Sequence, residues 1–280
     1  MAISIASSAV LIDLNISVWT ARKLDRNVSK EIDVRKGATT NAGNYNKHIL
    51  AGSDQLDAIN KLAGEIRDWH SKQTLPWSDA GTRLLPMTNF FEYKDKLAEY
   101  ESLFKERVDT FIREYPNIVQ VMAFRLGQLF DRSEYPDADK IANKFNIRYS
   151  IIPVPEVGDF RVDIADDIKK DLEQQYEKAY SGRVEVAMAD AWSRLHTTLD
   201  HMIERLSGDD KKIFRNSLIE NALELTSLLT KLNVTKDPKL EQARKDLERS
   251  LVGVTPDELR LHKGVREDVL ARVTQIMESI

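Results

Sequence analysis

From Val10 to Val18 apolar and polar positions alternate: Val10, Ile12, Leu14, Ile16 and Val18 fall on one side, Asp13, Asn15 and Ser17 on the other. A period of two predicts a half-buried strand. The β-prone run Glu31–Val34 predicts a second, shorter strand. Ile147–Val154 and Asp159–Ile164, split by Pro153, Pro155 and Gly158, predict two more that would pair with the first. Between these lie two stretches punctuated by turn formers. Gly37 to Gly52 is rich in Thr, Asn and Gly and reads as irregular, and Leu75 to Met87, with Pro76, Gly81 and Pro86, reads as an ordered loop.

Elsewhere the period changes to that of a helix. Ser53 is placed to cap a helix through Leu56, Ile59, Leu62, Ile66 and Trp69. After Thr88 the stripe Tyr93, Leu97, Tyr100, Phe104, Val108, Phe111 and Tyr115 keeps to one face. Pro116 is expected to open a new helix, because its missing N–H costs nothing at a first position, and Pro136 to open a short one ending at Phe145. From Asp163 to Leu206 more than forty residues pass without proline and with one glycine, Gly182. Unbroken, that helix would be roughly 65 Å long, against a diameter of about 50 Å for a compact globule of this size. It therefore either breaks, with Ser181 and Gly182 the expected kink, or projects and needs a partner helix.

The pattern continues to the end. Gly208 is expected to stop the long helix and Asp209 to cap the next, whose stripe is Phe214, Leu218, Ala222, Leu225, Leu229 and Leu232, making an αα-hairpin. Two more helices follow, Pro238–Leu251 and, capped by Thr255, Pro256 to about Met277. The expected fold class is mainly α: long helices with an αα-hairpin arm of coiled-coil-like packing, plus a small mixed β-sheet in the N-terminal half. The expected division is an α+β domain over 1–162 and a helical hairpin or bundle region over 163–280.

Composition narrows the function classes. Of the residues 31% are charged and 42% hydrophobic, and the net charge is -4, so no global field draws the chain to nucleic acid or anionic membrane. The chain has no cysteine, which excludes disulfides, thiolate catalysis and cysteine-ligated metal. Met1-Ala2-Ile3-Ser4 has no basic n-region and does not read as a signal peptide, and no run approaches the length of a membrane span. The expected location is the cytoplasm, the host cytoplasm if the chain is phage-encoded.

No motif names a reaction. His196 and His201 are five apart, not the four of a helical zinc pair, and point in different directions. Asp131, Glu134, Asp137 and Asp139 lack the glycine and closing glutamate of a calcium loop; a helix N-terminus at Pro136 accounts for them. There is no phosphate-binding glycine loop and no nucleophile elbow. No catalytic, cofactor or metal residue is assigned, and no cofactor is expected. One basic patch stands out: Trp19, Arg22, Lys23, Arg26, Lys30, Arg35 and Lys36, six cations against Asp25, Glu31 and Asp33, followed by Asn41, Asn44, Tyr45, Lys47 and His48. Such a patch can grip phosphates while Trp19 stacks a base, or it is a solvated turn.

Four short runs carry a resemblance. Leu75-Pro76-Trp77-Ser78-Asp79-Ala80-Gly81-Thr82-Arg83-Leu84-Leu85-Pro86, Asp131-Arg132-Ser133-Glu134-Tyr135-Pro136, Pro153-Val154-Pro155-Glu156-Val157-Gly158-Asp159-Phe160-Arg161-Val162 and Val18-Trp19-Thr20-Ala21-Arg22-Lys23-Leu24-Asp25 resemble a pattern of an uncharacterised protein family of bacteriophages and mobile elements, over about residues 10 to 206. The resemblance implies a phage-type accessory protein, sometimes encoded near a MoxR-like AAA+ ATPase or recombination genes, and supplies no catalytic residues. In the first run Trp77, Gly81 and Arg83 would make a stiff loop, with Trp77 filling a hydrophobic notch and Arg83 free to pair with a carboxylate. That loop either clamps the helix after Thr88 or serves as a docking loop.

The function expected from all this is non-enzymatic: protein–protein interaction or self-assembly, with an AAA+ ATPase as a candidate partner. The alternative is a single-stranded nucleic-acid-binding protein using the Trp19–Lys36 patch.

Overall fold

The structure is a computed structural model that describes residues 5–155, 166–208 and 216–280. The chain is mainly helical, with long helices and a small antiparallel sheet in its N-terminal half. In order, the described elements are β1 (Ala9–Ser17), β2 (Arg22–Asp25), α1 (Arg26–Lys36), β3 (Tyr45–His48), α2 (Asp54–Gln73), β4 (Leu75–Pro76), β5 (Arg83–Pro86), α3 (Phe90–Leu126), α4 (Ala138–Ala142), β6 (Asn146–Pro153), α5 (Asp166–Leu206), α6 (Ser217–Leu232), α7 (Pro238–Leu251), α8 (Pro256–Leu261) and α9 (Lys263–Ser279).

Two compact units emerge, and neither is a continuous segment: residues 1–13, 71–93 and 150–280 form one, 14–70 and 94–149 the other. This division interleaves the sequence segments 1–162 and 163–280 instead of following their boundary.

The first unit is built on α5, a 41-residue helix, about 60 Å long at 1.5 Å per residue. The helix runs on through Ser181 and Gly182, the place where it would have broken, and so follows the other expectation, an unbroken helix that needs partner helices. Ala187, Ala191, Leu195, Leu199, Met202 and Leu206 share one core with Leu218, Ala222 and Leu229 of α6, Leu240 and Leu247 of α7 and Val269 and Val273 of α9. The cap expected at Asp209 and the strand expected over Asp159–Ile164 lie outside the described residues. The last helix divides in two at His262, whose extended backbone (φ -119°, ψ 99°) separates α8 from α9. Thr255 caps α8 as expected, and Glu258 completes a capping box with it.

The sheet order is β4-β5-β1-β6. β5 runs antiparallel to β1, with Ala9 opposite Pro86 and Ile12 opposite Arg83, and to β4, with Leu75 opposite Leu84. The expected loop at 75–87 is thus a β-hairpin, and the sheet is antiparallel where a mixed one was expected. Gly81 at φ +99° permits the tight return, in which Gly81 N–H donates to Ser78 O at 3.2 Å.

The second unit packs α2 against α3: Ile59, Leu62 and Ile66 join Phe104, Val108, Phe111, Tyr115, Ile118, Val119 and Met122. α3 is a single 37-residue helix with Pro116 inside it, not two helices meeting there. An interior proline costs about 3 kcal/mol. Burying Ile118, Val119 and Met122 on the same face is worth about 1.5–3 kcal/mol for each, so continuity wins.

Candidate functional site

The basic patch folds as a helix laid beside a hairpin. Residues 31–34, expected to be a strand, belong to α1. The side chain of Asp25 caps its first turn, accepting from the N–H groups of Asn27 and Val28 at 3.1 Å, and Gly37 at φ +69° ends it. Asp25 and Gly37, residue types that cap helices, are the signal that the strand expectation, led by the β-branched Ile32 and Val34, did not use. β2 and β3 form a separate two-stranded antiparallel sheet, Arg22 opposite His48 and Asp25 opposite Tyr45, where an irregular loop was expected around β3.

α1 is held by polar contacts. Its one buried residue is Ser29, whose hydroxyl donates to Asp25 O at 2.7 Å and accepts from Tyr45 N–H at 2.9 Å. Behind it Lys47, 5% exposed, pairs with Asp25 at 3.0 Å and Glu134 at 2.9 Å and donates to Leu129 O at 2.8 Å. Burial lowers the pKa of the Lys47 ammonium, but the hydrogen bonds with Glu134 and Asp25 outweigh burial and raise it on balance. The Asp25 carboxyl sits below its ordinary value because of the Val28 N–H and Lys47. Sequence reasoning placed Lys47 on the fringe of a phosphate grip. It is instead a structural cation, and nothing in the local sequence pointed to Glu134 as its partner.

Arg22, Lys23, Arg26, Lys30, Arg35 and Lys36 are all exposed, while Trp19 is not: 9% exposed, it packs edge-on to Tyr115 with ring centroids 6.1 Å apart. The structure therefore leaves the cations exposed and withdraws the ring expected to stack a base. In its place the surface offers aliphatic side chains, Leu24, Ile32 (45% exposed) and Val34 (79%). Arg26, Lys30, Leu24 and Val34 line one groove with Asn41 and Asn44, of roughly 610 Å³.

In the other unit, the expected docking loop is committed to the interior. Trp77 is buried, edge-on to Tyr180 at 5.7 Å, with the Arg183 guanidinium 5.9 Å from its ring centre. Arg83 does not await a carboxylate; it donates to Thr74 Oγ1 at 2.7 Å and to the carbonyls of Ser71 and Thr74 at 3.1 Å. Arg194 of α5 donates to the same two carbonyls, at 3.0 and 2.8 Å, and to Lys72 O at 2.7 Å. Two cations thus close the C-terminal end of α2, where the dipole and the orphan carbonyls favour them. Burial, then the neighbouring Arg194 charge, lowers the pKa of Arg83. These contacts of the loop go to α5 and to the end of α2, not to the helix after Thr88 that it was expected to clamp.

Among the described residues no group of three or more His, Asp or Glu side chains is placed to hold a metal. Likewise, no described helix is long and apolar enough to cross a membrane. No protein-family profile, curated protein or solved structure matches the chain.

Proposed function

We propose that the protein works by binding, and that α1 with β2 is the surface it presents to a protein partner bearing an acidic, partly apolar segment. The observation that carries this reading is the burial pattern of α1: of eleven residues only Ser29 is buried, and the helix carries exposed Ile32 and Val34 among Arg26, Lys30, Arg35 and Lys36. An isolated helix this short is marginal in water. Here it is fixed by the Asp25 cap, the Ser29 hydrogen bonds and the Lys47 ion pairs, which hold a surface in place without using it for packing. Surface aliphatic side chains suit the side chains of a polypeptide, and the cationic rim suits carboxylates.

The single-stranded nucleic-acid reading keeps its exposed cations but loses its aromatic platform in Trp19. The resemblance to phage accessory proteins makes an AAA+ ATPase the partner to try first. Affinity isolation with the wild-type chain beside Arg26→Glu/Lys30→Glu and Ile32→Asp/Val34→Asp tests the proposal. The expected result is a protein retained by the wild type and lost from both variants, with folding unchanged by circular dichroism. Equal retention by all three, or loss of a nucleic acid in place of a protein, would refute it.

A further inference from the structure

Among the described residues β2 pairs with β3 alone, so one edge of β2 has no neighbouring strand. Which backbone groups face that edge follows from one hydrogen bond. The carbonyl of Ala21 accepts from Ile49 N–H at 2.9 Å and so points toward the β3 side. Across a trans peptide the next N–H points the opposite way, which turns Arg22 N–H outward. Successive residues of an antiparallel strand alternate between its two sides. The N–H and C=O of Arg22 and of Leu24 therefore face outward, about 6.8 Å apart at the repeat of a strand, while those of Lys23 serve the ladder to β3. No other described backbone group bonds to the outward set. The outer edge of β3 is partly spent by comparison, since His48 O accepts from Ala51 N–H at 3.3 Å.

Such an edge is a template for another strand, and the side chains around it select which. Arg22, Lys23 and Leu24 are all exposed. Arg22 and Leu24 lie on one face of the strand and Lys23 on the other. Leu24 also lines the groove that holds Arg26, Lys30 and Val34. A strand added here sets one row of its side chains beside Leu24 and the other beside Lys23, with cations on both faces and apolar surface at Leu24 and Val34. A second copy of the chain, paired antiparallel so that Arg22 bonds Leu24, sets Lys23 directly opposite Lys23, and like charges opposite each other are destabilising. A segment bearing carboxylates meets no such repulsion.

We infer that the acidic, partly apolar segment of the partner binds in extended form, adding a third strand to the free edge of β2 through the N–H and C=O groups of Arg22 and Leu24. The inference rests on the docking proposal above and specifies the conformation that this surface recognises. Main-chain bonds supply affinity in strand addition, and the side-chain rows supply preference.

Fluorescence anisotropy with the full chain and a labelled octapeptide alternating Glu and Leu tests it. In an extended strand the N–H groups of the Glu residues point to one edge and those of the Leu residues to the other, so only one set can bond to β2. Two further peptides carry N-methyl groups on all Leu or on all Glu residues. The parent is expected to bind, one methylated peptide to match it, and the other to bind about tenfold more weakly or worse. On the protein side, Leu24→Pro removes an outward N–H and leaves that of Lys23 for the ladder; with circular dichroism unchanged it is expected to bind the parent more weakly than Leu24→Ala, by about fivefold. Parent binding that both methylated peptides match, or that both lose alike, would overturn the inference and leave the docking proposal standing. So would a folded Leu24→Pro that binds no more weakly than Leu24→Ala. A parent peptide that fails to bind would overturn both.

Discussion

The ammonium of Lys47 lies 2.9 Å from the carboxylate of Glu134, joining β3 to a segment far along the chain while the same ammonium holds the Asp25 that caps α1. The exposed helix is therefore tied to its unit through a nearly buried cation. Lys47→Met leaves two carboxylates and the Leu129 carbonyl without their partner, and breaking such a pair is expected to cost on the order of 3 kcal/mol. Urea denaturation followed by circular dichroism measures it; a loss no larger than that of a surface lysine would show that the network does not hold α1.

Arg83 and Arg194 share the carbonyls of Ser71 and Thr74. When either is replaced by Met the other still serves the shared acceptors, so each single loss is expected to be about 1 kcal/mol. The double variant then costs more than the sum of the two. A double-mutant cycle by denaturant unfolding checks the sign of the coupling; strict additivity would mean that the two guanidiniums act independently.

The alignment of α3 across Pro116 yields a prediction of opposite sign. Pro116 is exposed, and its ring gives the Ile112 carbonyl no N–H to bond. Pro116→Ala restores that donor and is expected to raise stability by about 1–3 kcal/mol, seen as a higher urea midpoint. An unchanged or lower midpoint would indicate that the helix is already adapted around the proline.

These three relationships differ in how far the sequence disclosed them. Helical stripes over Leu56–Trp69, Tyr93–Tyr115 and Leu195–Leu206 were legible because a buried face imposes its period directly on residue choice. The hairpin at Leu75–Pro86 was hidden: β4 has two residues and β5 four, too few to display alternation, and their prolines read as loop. Pro116 suggested a boundary because local chemistry favours one, and only the tertiary burial of Ile118, Val119 and Met122 overrides it. At the candidate site the cations were legible by identity. The burial of Trp19 and the pairing of Lys47 with Glu134 were not, since both depend on contacts between segments distant in sequence.

In α7, Glu241 accepts from both Arg244 Nε and Nη2, at 2.8 and 2.9 Å, and the hydrogen bonds with Arg244 lower its pKa from the ordinary 4.5 to about 2. A depressed carboxylate pKa stabilises the fold above the unfolded value, and that contribution fades as the group is protonated. Stability is therefore expected to fall as pH drops from about 4.5 toward 2. In Glu241→Gln part of that slope is expected to vanish. Midpoints of thermal unfolding across this range measure it, and identical slopes in wild type and variant would mean that Glu241 is not protonated differently in the two states.

The claim that α1 and β2 dock an acidic, apolar-bearing polypeptide is tested most directly by fluorescence anisotropy with three labelled probes: a peptide alternating Glu with Leu, one alternating Lys with Leu, and oligothymidine. The account predicts binding of the Glu–Leu peptide alone, weakened by Arg26→Glu/Lys30→Glu and by Val34→Asp. Salt-sensitive binding of oligothymidine that the same charge reversal abolishes, with no binding of the Glu–Leu peptide, would contradict it.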